Sequence, residues 1–313
     1  MTIRCGLIVL IFFGMAAIAV AKPRDVILTT DCGTEIDDQW ATIYLALSPQ
    51  IRLLGVVSTH APNIPNSEFS ATCVRDVYRR LHIESAPPVY AGSNLALDDR
   101  TPLRNGGVDF IVSTSRSYSQ HNRLVILTIG ATTDVASAFL EDPKLSDRVE
   151  VVTMGFNSWP LGTDPWNIKN DPLAYKVILE SHAPITIGSA DTCRAHLKLS
   201  LKTVQDMFGD RGEIGKWMVK LFQDWVTNNA DFVSRDVGPQ QWVIWDVIVV
   251  TDLLGYAQTA TYPRPELNTV DLHFSFPKTD ETVNWITDVQ EKPMWADFLR
   301  KIDEHNEMLS KPH

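Results

Sequence analysis

The chain has 313 residues, 44% of them hydrophobic and 21% charged, an ordinary globular composition with apolar residues enough for a substantial core. Its formal net charge is -10 and no stretch clusters Lys and Arg, so the chain repels polyanions. That argues against nucleic acid as a partner and for a small, uncharged molecule.

The chain opens on a targeting pattern. Arg4 supplies a positive start, Gly6 to Val20 is an almost unbroken apolar run, and Ala19-Val20-Ala21 offers small residues where a signal peptidase cuts. The run is nearly long enough to span a bilayer when tilted, but the Ala-x-Ala ending followed by Lys22-Pro23 favours cleavage. Residues 1–21 therefore read as a signal peptide that sends the protein to the periplasm or the exterior, with no membrane association after cleavage. Residues 22–313 read as a single domain, and the sequence leaves homo-oligomer formation open. Of four cysteines, Cys5 leaves with the signal. Cys32, Cys73 and Cys193 lack the spacing of a metal site. An oxidising compartment allows them one disulfide, and the sequence does not choose the pair.

From residue 25 the apolar runs alternate with helix-like stretches. Asp25–Thr30 and Leu53–Thr59 are β-branched and continuous, as strands buried on both faces should be. Further strands are predicted at Pro88–Ala91, Leu124–Ile129, Val149–Met154 and Pro184–Gly188. Helices are predicted at Ile36–Leu47, Ser67–Leu81, Thr133–Leu140 and Asp171–Ser181, and Leu199 to Tyr256 reads mainly helical. The βαβα rhythm predicts an α/β fold, a mostly parallel β-sheet flanked by helices. Ligands of such sheets lie beyond the carboxyl ends of the strands. Asp31, His60, Asn63, Thr132, Thr133 and Asn157 stand just after apolar runs, where such a ligand would be met.

The densest of these signals is Thr29–Trp40, TTDCGTEIDDQW. Asp37 and Asp38 open a predicted helix, where the dipole favours negative charge, and capping alone accounts for one of them. Capping does not account for Asp31, at the end of a continuous apolar strand, where an unpaired carboxylate is costly. A hard cation shared by several carboxylates removes that cost. On these residues alone, metal binding and capping stand as equal alternatives.

The order of motifs along the chain resembles the nucleoside hydrolase family. That family carries D-x-D-x-G-x-D-D at the end of its first strand, and this chain shows Asp31-Cys32-Gly33 and Asp37-Asp38. GVVSTHAPN (55–63) is similar to the second strand, whose terminal Asn, here Asn63, touches substrate. PPVYAG (87–92) resembles the short third strand, and TIGATTDVA (128–136) the G-P-L-T-N segment, with its Thr at Thr133. VVTMG (151–155) matches a strand ending in Met-Gly, here Met154. WNIKNDPLA (166–174) resembles F-N-x-x-x-D-P, with the ribose-contacting Asn at Asn167. VIWDVIVV (243–250) stands where the family has His-Asp-Pro, with the last metal ligand at Asp246. The similarity runs from about residue 25 to 256.

The resemblance implies a calcium-dependent hydrolase of the N-glycosidic bond of a nucleoside or related riboside. Ca²⁺ would be held by Asp31, Asp38, the main-chain carbonyl of Thr133 and Asp246, a set of hard oxygens that disfavours zinc. Asp31 would also be the general base, activating a metal-bound water for attack on the anomeric carbon. Asp37, Asn63, Met154 and Asn167 would contact the substrate, whose ribose becomes oxocarbenium-like.

Several positions depart from the family. Thr29 replaces its first Asp, and two extra residues within Thr34–Ile36 leave Glu35, Asp37 and Asp38 all open as the second ligand. Pro165 stands where a Glu contacts the ribose 5′ side. Trp245 replaces a His assigned to leaving-group protonation, leaving Trp245 to stack on the base and His60 as an alternative proton donor. Two of Trp159, Trp166, Trp242 and Trp245 are expected to line the pocket. Two rival functions remain to be weighed. A phosphotransferase built on D-x-D-x-T is disfavoured, because Thr29 and Gly33 occupy the positions of its nucleophile and Thr. An exported protein that binds metal and ribose without turnover is the other, favoured by the changes at Pro165 and Trp245.

Overall fold

The computed structural model describes residues 22–164 and 166–311, so the signal-peptide reading of residues 1–21 and the departure at Pro165 lie outside the described residues. Continuous β-branched runs give buried parallel strands, as expected from their composition. These are Arg24–Thr30 (β1), Ile51–Ser58 (β2), Val89–Ala91 (β3), Leu124–Ile129 (β4), Val149–Met154 (β5) and Ile185–Gly188 (β6). Later in the chain come Lys198–Ser200 (β7), Gln241–Val243 (β8), Ala257–Pro263 (β9), Glu266–Leu267 (β10), Phe274–Ser275 (β11) and Thr282–Val289 (β12). The main sheet has eight strands in the order β3-β2-β1-β4-β5-β6-β12-β9. Its pairs are parallel except at the far edge, where β9 runs antiparallel to β12.

The helices are Asp37–Ala46 (α1), Ser67–Arg80 (α2), Gly106–Ser115 (α3), Thr133–Glu141 (α4), Asn167–Asn170 (α5), Pro172–Glu180 (α6), Ala190–His196 (α7), Leu201–Phe208 (α8), Gly212–Asn228 (α9), Ala230–Asp236 (α10), Val247–Leu253 (α11) and Glu291–Ser310 (α12). Two apolar layers cover the sheet. One gathers Trp40 with Phe208, Phe222, Trp295 and Phe298, in edge-on and tilted packing between α1, α8, α9 and α12. The other packs α3, α4 and α6 residues such as Ile111, Val135 and Tyr175 on the opposite face. No helix among the described residues is long and apolar enough to cross a membrane.

The expected strands and helices up to residue 188 are all present, within two residues at their ends. The structure adds α3 and, beyond Tyr256, the β9–β12 pair and α12. The strand order sets the position of the site. From β1 the chain steps outward through β2 and β3, then returns to β4 on the other side of β1 and continues the other way. The reversal between β1 and β4 is a topological switch point, and such points open a crevice at the carboxyl ends of the strands.

Candidate active site

Asp31 follows β1 at this switch point and is buried. A close backbone approach holds it there: a Cβ on Gly130, just after β4, would meet both Asp31 N and Asp31 Oδ1 at 2.9 Å. The chain then turns through Gly33, whose φ of +96° is strained for any side chain. A disulfide between Cys32 and Cys73 ties this turn to α2, with Cα atoms 5.8 Å apart. It settles the pairing that the sequence left open, and Cys193 stays free and buried.

Asp37 and Asp38 lie in the first turn of α1, buried beside Asp31. The Thr30 hydroxyl donates a hydrogen bond to Asp38 Oδ1. Asp246 sits at the N-terminus of α11 without capping it, so its carboxylate is left for other partners. Oxygens of Asp37, Asp38 and Asp246 all lie within 4.8 Å of one another. Glu35 lines the same cavity outside that trio and accepts from the Trp242 indole N–H at 3.1 Å. Asp31 Oδ2 is buried with no hydrogen-bond partner.

These groups cannot all carry charge unaided. Burial pushes the Asp31 carboxyl up to about 7, reinforced by the charge on Asp37, and burial, opposed by local hydrogen bonds, takes Asp37 to about 7. Asp38 and Asp246 are pushed well above the carboxylate range by burial and then by one another's neighbours, Asp31 and Asp37. An all-oxygen donor set, three converging carboxylates and an orphaned fourth oxygen fit a hard divalent cation.

The carboxylates form the floor of a cavity of about 290 Å³. Met154, Asn157, Asp164, Trp166 and Asn167 line it from the end of β5 to α5, and Ala190, Arg194, Phe232, Asp236, Trp242 and Trp245 from α7, α10 and the β8–α11 segment. Asn167 Nδ2 donates to the Met154 carbonyl at 3.2 Å, which leaves the amide oxygen as the acceptor for a ligand. Asp164, buried and raised to about 6 by that burial, accepts from the N–H groups of Phe156 and Trp166 at 2.9 and 2.5 Å. It ties together the loop between β5 and α5.

Of the sequence-derived candidates, Asp31, Glu35, Asp37, Asp38, Met154, Asn157, Asn167, Trp245 and Asp246 line this one cavity. Three of the four tryptophans do so, one more than expected; Trp159 instead stacks on Tyr262 at 4.5 Å. Three candidates are not among the lining residues. Asn63 is exposed and donates to the Thr34 carbonyl at 3.1 Å, buttressing the carboxylate turn from outside. The buried Thr133 donates its hydroxyl to Asp171 Oδ2 at 2.6 Å, and His60 Nε2 lies 3.0 Å from that hydroxyl. Because the Thr133 proton goes to Asp171, His60 Nε2 is the donor to Thr133, and the imidazole is engaged away from the cavity. Burial holds its pKa below the usual histidine value.

Sequence reasoning missed Thr30, Asp164, Arg194, Phe232 and Asp236. Asp164 carried a signal, an Asp-Pro of the kind that starts turns. Arg194 and Asp236 carried none, since they stand 42 residues apart on two short helices.

Fold and site together are those of an enzyme that seats a small polar ligand on a carboxylate floor. The chain belongs to the inosine-uridine preferring nucleoside hydrolase family, whose model matches residues 26–305. It is thus a glycosidase acting on N-glycosyl compounds, in a family that depends on a metal ion. A plant nucleoside hydrolase superposes with a TM-score of 0.74 at 16% identity, over 90% of this chain and 99% of that one. A purine-preferring ribonucleoside hydrolase from Gardnerella vaginalis does so with a TM-score of 0.70 at 19% identity, over 91% and 100%. An inosine-uridine preferring nucleoside hydrolase from Bacillus anthracis gives 0.69 at 16%, over 90% and 99%. At these identities the likeness is one of fold. No curated protein matches the chain.

Proposed function

We propose that this glycosidase is a calcium-dependent ribonucleoside hydrolase of an exported type, in which Asp31 is the general base. The observation that carries the reading is the buried carboxylate floor, with Asp31 Oδ2 unpartnered beside three converging carboxylates. Asp37, Asp38 and Asp246 would hold the cation, with Asp31 adjoining it. Glu35, committed to Trp242, is the weakest candidate for a ligand. The choice of calcium rests on the all-carboxylate donor set, since zinc prefers nitrogen and sulfur. When bound, the cation supplies Lewis acidity that makes water easier to deprotonate and orients ribose hydroxyls.

The chain's own residues do the rest. Asp31 takes the proton from the attacking water on Oδ2, which is buried and has no hydrogen-bond partner. The developing positive charge on the ribose is met by the carboxylate floor and the Asn167 amide oxygen. The departing base would lie against Trp245, whose ring stacks on a heterocycle rather than acting as an acid. The export reading rests on residues 1–21, and the Cys32–Cys73 disulfide is consistent with it, because such bonds persist in oxidising compartments.

Hydrolysis of inosine, adenosine, uridine and cytidine by the mature chain, with calcium or with chelator, tests the assignment. Asp31→Asn should lower turnover at least a thousandfold at saturating calcium while the melting curve stays cooperative. Near-normal turnover by that variant would remove Asp31 from the mechanism. Saturable nucleoside binding without any turnover would favour the binding-protein alternative.

A further inference from the structure

Arg194 is the single cation lining the cavity among the described residues, and nothing in the hydrolytic scheme above uses it. It lies on α7, with 41% of its side chain exposed. Two contacts fix it. Its guanidinium carbon lies 4.8 Å from the centre of the Trp245 ring. Asp236 receives Nη2 on both carboxylate oxygens at 3.0 Å, and the Asp236 main-chain carbonyl receives Nη1 at 3.0 Å. A guanidinium has five N–H donors in one plane. Asp236 takes one Nη1–H on its main-chain carbonyl and one Nη2–H shared between its two carboxylate oxygens, so Nε–H, the Nη2–H beside it and one Nη1–H have no partner among the described residues.

What remains is a rigid, planar set of donors beside an aromatic ring, a match for the acceptor edge of a neutral heterocycle. We propose that Arg194 is the leaving-group handle of this enzyme, donating to a ring nitrogen or carbonyl of the departing purine, with Asp236 as its positioning residue. The proposal rests on the nucleoside hydrolase reading above. As the C1′–N bond breaks, its electron pair passes to the base. The oxygen of water bonds to C1′ and Asp31 takes the water's proton. Arg194 meets the charge on the base through hydrogen bonds without giving up a proton, which the base then acquires from solvent. A guanidinium therefore fills a place for which the sequence offered only Trp245 and His60.

The test is Arg194→Ala, assayed on inosine and on p-nitrophenyl β-riboside, whose phenolate departs without help, together with hypoxanthine binding followed by tryptophan fluorescence. The handle predicts a kcat on inosine about a hundredfold lower, a fall under tenfold on the p-nitrophenyl riboside, and hypoxanthine affinity at least tenfold weaker. Turnover of the p-nitrophenyl riboside doubles as the control for folding. Equal losses on both substrates, or inosine turnover within threefold of wild type, overturn the proposal. If the wild-type chain cleaves neither substrate, the hydrolase reading fails separately and binding decides: weaker hypoxanthine binding in Arg194→Ala keeps the handle, and unchanged or absent binding removes it.

Discussion

Replacing Cys73 with serine isolates what the disulfide contributes to both stability and catalysis. The bond joins residues 41 apart, one of them the immediate neighbour of Asp31. Loop-closure entropy for a ring of that size gives about 4 kcal/mol of stabilisation at 25 °C, through the unfolded state. For a domain somewhat larger than 250 residues, that corresponds to a fall in Tm of roughly 8 °C. The turn from Asp31 to Thr34 also loses its tether to α2, so hydrolysis should fall alongside stability. Urea denaturation of Cys73→Ser, and of wild type with reductant, should give matching losses of about 4 kcal/mol. Thiol titration of the unfolded, unreduced mature chain should find one reactive group, Cys193. Three reactive thiols, or a loss below about 1 kcal/mol in both experiments, would refute the reasoning.

Calcium removal should couple stability to pH. Without the ion, Asp31 and Asp37 hold protons up to about 7 in the folded state but only to the usual carboxylate range when unfolded. The folded chain then binds more protons, so stability should decline as pH rises from about 4 through 7. Added calcium should flatten that decline and raise stability by about 2.7 kcal/mol at a hundredfold excess over its Kd; identical melting curves in chelator and calcium across this range would contradict a shared site. Purine ribosides should outpace uridine, since a purine offers a basic ring nitrogen and a larger face to Trp245. Trp245→Ala should cost at least tenfold on inosine, and His60→Ala, which breaks the contact to Thr133, should lower Tm while leaving the purine-to-uridine ratio intact. Steady-state kinetics on both substrates decide this, and abolished turnover in His60→Ala alone would reverse the two roles.

The sheet was legible where burial on both faces writes continuous apolar runs, and β4 and β5 have the predicted boundaries to the residue. It was least legible beyond Tyr256. β9 has no fully buried position and β12 mixes buried with exposed ones, so neither carries such a run. The carboxylate floor could be read because strand ends at a switch point converge whatever the loops do. His60 and Asn63 show the limit of that rule. They also follow a strand, but β2 lies one place out from the crevice, and their polar groups are spent on Thr133 and on the Thr34 carbonyl. The bond from the Trp242 indole to Glu35, more than 200 residues away in sequence, was equally out of reach. Arg194 was invisible for the same reason: its meaning comes from Asp236 and Trp245, which only the packing of α7, α10 and α11 brings to it.

Asp37 and Asp38 stand near the start of the chain and Asp246 near its end, so the converging trio does not exist until almost the whole polypeptide has been threaded into place. An unfolded or half-made chain offers isolated carboxylates with little hold on any divalent ion. On the export reading proposed above, the trio would first assemble outside the compartment of synthesis, and its cation would be the one met there.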